Sequence, residues 1–128
     1  MIDGDLGPCG IKRLRGCGCG NEYVWVTREG DVYPCHLFVG KKEWIMGSVN
    51  DLSLDTEIKD SFAKTTVYTK PECRTCWAKF YCSGGCNANN LEYAGAIKKP
   101  YKLACDLEKK RLECAIMIKA ALADLEIE

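Results

Sequence analysis

Hydrophobic and polar positions change period along this chain, and the changes mark out its elements. Glu22-Tyr-Val-Trp-Val-Thr27 and Asp31-Val-Tyr-Pro-Cys35 are β-branched and aromatic, with Arg28-Glu-Gly30 between them. Two such runs around a glycine-ended turn predict a β-hairpin, with Cys35 just past its second strand. A further short strand is expected at Trp44–Val49. The period then turns helical. Leu54, Ile58 and Phe62 recur at i, i+4 and i+8, with Ser53 or Asp55 placed to cap a helix running to about Lys64 and a connector to Pro71. A short helix is expected from Gly85 through Asn90. Past Pro100, Tyr101–Leu125 predicts a long helix, with Leu103, Leu107, Cys114, Ile118, Leu122 and Leu125 on one stripe and charged residues elsewhere. The sum is an α+β fold.

The first 20 residues have no period at all. Cys9, Cys17 and Cys19 stand among six glycines, and such a segment reads as a loop wrapped around something. The block Cys73–Cys86, with Trp77, Phe80 and Tyr81 among its cysteines, reads as a tight knot. Length permits one domain, residues 1–128. Its parts are an N-terminal loop and hairpin (1–52), a helix and connector (53–72), the knot region (73–106) and the C-terminal helix (101–126).

Charge excludes one class of partner. The chain has 18 basic and 18 acidic residues and one histidine, so it lacks the basic face that gives nucleic-acid-binding zinc modules most of their affinity. No run approaches the roughly 18 apolar residues of a membrane span. The N-terminal Met-Ile-Asp-Gly-Asp-Leu-Gly-Pro has neither the basic region nor the apolar run of a signal peptide. A cytoplasmic location with reduced thiols is therefore expected, which disfavours disulfides.

Ten cysteines in 128 residues then need another use. Cys73 and Cys76 form C-x₂-C, a spacing that lets one turn aim two thiolates at one metal centre. Cys82, Cys86 and Cys105 follow, and Cys17 and Cys35 lie upstream on either side of Gly30. Spacing alone leaves zinc and iron–sulfur clusters both open, since each takes four thiolates. Of the remaining cysteines, Cys114 is expected as a buried thiol of the last helix, and Cys19 as a spare thiol in the glycine loop. Trp25, Trp44 and Trp77 are expected to shield the metal sites, and His36 is not assigned as a ligand.

The whole pattern is more specific. C-x₁₂-G-x₄-C (Cys17, Gly30, Cys35), C-x₂-C-x₅-C-x₃-C (Cys73, Cys76, Cys82, Cys86) and Cys105 resemble the seven-cysteine SPASM signature. SPASM is the auxiliary domain of radical S-adenosylmethionine enzymes that modify peptides and proteins. Gly16-Cys-Gly-Cys-Gly-Asn-Glu-Tyr23, Tyr33-Pro-Cys-His36 and Cys76-Trp-Ala-Lys-Phe-Tyr-Cys-Ser-Gly-Gly-Cys86 resemble the SCIFF-type maturases, which form thioether cross-links in cysteine-rich precursor peptides. The resemblance implies two 4Fe–4S clusters with interleaved ligands. The first would take Cys17, Cys35 and Cys86, with Cys9 as the candidate fourth ligand. The second would take Cys73, Cys76, Cys82 and Cys105. It also implies electron transfer and substrate positioning as the domain's work, and two partners: a radical S-adenosylmethionine core and the precursor peptide.

The catalytic C-x₃-C-x₂-C motif of such cores is missing. The one C-x₃-C, Cys82–Cys86, is followed by Asn89 where the third cysteine would stand. S-adenosylmethionine is thus expected only on a core outside this sequence, with the chain as part of an enzyme, and a fragment is the expected relation. Two other readings remain at this point: a zinc-stabilised peptide-binding module, and a free ferredoxin-like electron carrier.

Overall fold

A computed structural model describes residues 10–125. The hairpin forms as expected: β1 (Trp25–Val26) pairs antiparallel with β2 (Asp31–Tyr33), Trp25 opposite Tyr33 and Val26 opposite Val32. Thr27 closes its turn, its amide donating to the Asp31 carbonyl (2.9 Å) and its carbonyl accepting from Gly30 (3.0 Å). The meander then continues. β3 (Gly47–Ser48) pairs with β2, and β4 (Ser53–Leu54) with β3, giving a four-stranded sheet in the order β1-β2-β3-β4. The third strand falls inside the expected Trp44–Val49, although Lys42–Trp44 is a 3₁₀ turn.

The expected helical face at Leu54 is corrected. Leu54 belongs to β4 and is 45% exposed, so the i, i+4, i+8 pattern was partly coincidental. The helix begins after Asp55, whose carboxylate oxygen accepts from the amides of Glu57 (2.8 Å) and Ile58 (3.1 Å). That cap satisfies two of the helix's orphan donors, and α2 covers Thr56–Ala63. Its Phe62 meets Phe38 and Trp44, with ring centroids 5.6 and 5.7 Å away, and those two rings lie 5.1 Å from each other. This aromatic trio, with Tyr33, Ala88 and Ile97, is the centre of the core, and Cys19 and Cys35 lie in the same cluster.

The N-terminal expectation of loop alone is also corrected, because Gly10–Arg15 forms α1. Glycines crowd the residues after it, but Lys12-Arg-Leu-Arg15 is an unbroken run of good helix formers. The turn packs against α4 (Lys79–Cys82), and the Leu14 carbonyl accepts from the Val67 amide at 2.9 Å. Within the knot, α3 (Pro71–Arg74) starts with proline at its first turn, where a missing N–H costs nothing. The short helix expected at 85–90 lies later, as α5 (Asn87–Ala94), with Cys86 at its N-cap.

The long helix α6 spans Lys102–Leu125. Its expected stripe does not face the core. Leu103, Leu107, Ile118 and Leu122 are all more than half exposed and Cys114 is exposed, whereas Leu112 is buried. The helix turns its Cys105–Leu112 side inward, and the metal site described below takes the place of an apolar seam.

Gly47 is held at φ +146° between two strands, where an added Cβ would run into the Ser53 carbonyl oxygen. That oxygen is main chain and cannot move aside. Gly47→Ala is expected to cost about 2–3 kcal/mol, read as a lower thermal midpoint with an unchanged cluster spectrum. An unshifted midpoint would mean the sheet can part there.

Candidate metal centres

Among the described residues, the cysteines outside α6's exposed face come from distant segments and lie in two regions. Cys73 lies in α3 and Cys76 just beyond it, its amide bonded to the Cys73 carbonyl (3.1 Å). Cys82 ends α4, and Cys105 sits in the first turn of α6. All four line one cavity of about 340 Å³. Burial pushes the Cys73 thiol up to about 11, with the charges of Cys105, Cys82 and Cys76 adding to the rise and Lys70 opposing it. Cys105 is raised in the same way, by burial first and then by Cys82 and Cys76. Gathering thiolates at this site is therefore costly unless a cation offsets their charge.

The other set lies around the hairpin's base. Cys17 follows α1, Cys19 makes an isolated bridge with Tyr23, and Cys35 precedes the 3₁₀ turn His36–Phe38. Neighbouring Cys19 holds the Cys17 thiol down, to about 5, and Cys17 in turn pushes Cys19 well up, with burial adding to the rise. The Tyr23 hydroxyl donates to the Cys17 sulfur, at 3.8 Å. Burial raises Cys35, and the charges of Cys86 and Cys17 raise it further. Cys86 thus acts on the hairpin's cysteines although it stands only four positions after Cys82.

These positions bear on each sequence-derived candidate. Cys73, Cys76, Cys82 and Cys105 share one cavity, while Cys86 lines a second one with Cys82 and Cys105 and, with Cys17, acts on Cys35. Cys9 lies outside the described residues. Cys19, which sequence reasoning set aside as spare, is 5% exposed and lies in the core cluster with Cys35, beside Cys17. Its C-x-C proximity to Cys17 was the available signal, but the seven-cysteine spacing does not use it. Trp77 is 52% exposed and Trp25 47% exposed, and Trp25 meets His36 edge-on at 5.6 Å. Both stand open to solvent, while Trp44 serves the aromatic core.

Lys70 is a second residue that the sequence did not announce. It is 2% exposed, and its ammonium donates to the Gly84 carbonyl (2.6 Å) and the Asn87 amide oxygen (2.9 Å). Burial lowers its pKa, while Cys73, Cys82, Cys19 and Cys86 act to raise it.

An all-thiol donor set suits zinc and iron–sulfur clusters alike. The size of the space separates them. A single water needs only ~10–15 Å³ of such volume, so one ion would leave most of 340 Å³ empty. Among the described residues no three His, Cys, Asp or Glu side chains close on a point as the ligands of one ion do. Four thiols spread around a roomy centre fit a multi-atom inorganic cluster, whose ligands attach at its outer corners.

Residues 17–77 match the family model of SPASM, an iron-sulfur cluster-binding domain. Iron–sulfur cluster binding is what that match assigns to the segment. It takes in Cys17, Cys35, Cys73 and Cys76 and ends before Cys82, Cys86 and Cys105. No curated protein matches the chain. No described helix is long and apolar enough to cross a membrane.

Proposed function

We propose that this chain is the auxiliary electron-transfer module of a radical S-adenosylmethionine peptide maturase, holding two 4Fe–4S clusters and serving thioether formation in a cysteine-rich ribosomal peptide. One observation supports the reading most: Cys73, Cys76, Cys82 and Cys105 ring one cavity, while Cys19 and Cys35 lie apart from it in the core beside Cys17, with Cys86 acting on Cys35. The first cluster would be held by Cys17, Cys19, Cys35 and Cys86, the second by Cys73, Cys76, Cys82 and Cys105.

When bound, such clusters supply one-electron transfer at potentials set by net charge, hydrogen bonding to sulfur and solvent access. The chain's own residues govern those factors. Cys73 and the Cys19–Cys35 pair are withdrawn from water, whereas Cys17 and Cys86 stand exposed. The first set is therefore the one open to a partner. Closing a carbon–sulfur bond from a C–H and an S–H releases two electrons and two protons. The module is suited to take electrons away, and a separate core with the peptide would perform the abstraction. Reduced thiols and iron suit the cytoplasm.

Metal and sulfide analysis of anaerobically prepared protein tests the reading. A brown solution, with iron and acid-labile sulfide in equal amounts, is expected. A colourless protein carrying zinc and no sulfide would overturn it and leave the peptide-binding module. Cys19→Ala separates the fourth-ligand candidates and is expected to lose about half the iron, while Cys9→Ala keeps it. The reverse result would return the place to Cys9.

A further inference from the structure

We propose that the Lys70 ammonium is a counter-charge shared by the two cysteine sets, wired to the second through Gly84 and to the first through Asn87, and that it raises the reduction potential of both clusters. The inference rests on the two-cluster reading above.

Lys70 stands at the N-cap of α3, three residues before Cys73, and turns its side chain inward. Gly84, which accepts from Nζ, lines the cavity ringed by Cys73, Cys76, Cys82 and Cys105. Asn87, the other acceptor, is itself buried and donates from Nδ2 to the Cys19 sulfur at 3.9 Å. One side chain therefore touches both sets through a single intermediary on each side. Space has been left for it: Gly84 is at φ +83°, and a Cβ there would lie 3.2 Å from both Cδ and Nζ of Lys70.

A buried cation needs an opposite charge. None of the described residues' ion pairs involves Lys70, and both its hydrogen-bond acceptors are neutral amide oxygens. The charges that act on it are those of Cys73 and Cys82 on one side and Cys19 and Cys86 on the other. Thiolate-ligated clusters are anionic and gain one further negative charge on reduction. A fixed positive charge buried between them stabilises the reduced form more than the oxidised one. Hydrogen bonding to a ligand sulfur, here from Asn87 to Cys19, acts in the same direction.

The test is a redox titration followed by electron paramagnetic resonance on the anaerobic, cluster-loaded chain, with iron and sulfide measured alongside. Wild type is measured first, and two separable cluster signals are expected; one signal or none would overturn the two-cluster reading itself. Lys70→Met keeps the length of the side chain and removes the charge. Both midpoints are expected to move to more negative values at unchanged iron content. Asn87→Asp is close in shape and neutralises the ammonium in place, so it serves if Lys70→Met fails to assemble. The second cluster's midpoint is expected to fall there too, although Asn87 lies on the first cluster's side. Midpoints that stay put in a fully loaded variant would show that Lys70 is only a structural peg, and a shift confined to one cluster in Lys70→Met would overturn its sharing between the two.

Discussion

Cys86→Ala is expected to remove the cluster of the hairpin side and leave the other, with iron falling by about half. Cys82→Ala should do the opposite. The two residues are neighbours in sequence, so any account based on sequence blocks predicts the same lesion from both. Cys82 ends α4 and lines the cavity shared with Cys73, Cys76 and Cys105, whereas Cys86 stands at the N-terminus of α5, lines a neighbouring cavity with Cys82 and Cys105, and also acts on Cys35. Paramagnetic resonance of each reduced variant reads which signal survives. If both variants lose the same signal, the interleaved ligand sets are wrong.

Removal of the metal should have a larger and more general effect. Helices α3 and α4 have four residues each, far below the ~12–15 at which isolated helices become marginal. What joins them to α6 is chiefly the ring of thiols around the 340 Å³ cavity. Stripped protein is expected to lose amide protection over 71–86 and at Cys17–Gly20, with a fall in thermal midpoint of several times the roughly 2–8 °C that one kcal/mol represents. The sheet with Phe38, Trp44 and Phe62 has its own packing and should keep more protection, and α6 at 24 residues should persist in circular dichroism. Hydrogen exchange on anaerobic apo-protein checks this, under reducing conditions that keep the freed thiols from cross-linking. Native-like protection at 71–86 would count against metal as the organiser of that region.

Much of this arrangement was legible because it depends on local chemistry. The hairpin follows from two β-rich runs and a glycine turn, and the grouping of Cys73, Cys76, Cys82 and Cys105 from the resemblance of the cysteine pattern to the SPASM signature. Misses came where a local signal had to be weighed against packing. Leu54 fitted a helical period, but pairing with Gly47 drew it into β4. Composition hid α1, since glycine-rich flanks masked a short run of helix formers. Cys114 and its leucine neighbours looked like a core stripe, yet the inward side of α6 is given over to the cavity, and that stripe is left outside. Lys70 gave no signal at all: its partners lie 14 and 17 residues away, and a lysine after a threonine looks like any surface lysine.

Ser83, Gly84 and Gly85 are the whole of the chain between Cys82 and Cys86, so the Cα atoms of those two cysteines are at most about 14 Å apart. In a module with a cluster on each, that turn is a covalent bridge along which an electron travels without crossing open solvent. Its carbonyl at Gly84 is also where Lys70 attaches. If two clusters are bound, lengthening the turn by one residue would keep every cysteine of the chain and would be expected to slow exchange between them, so that the spacing itself would help set the speed of internal electron passage.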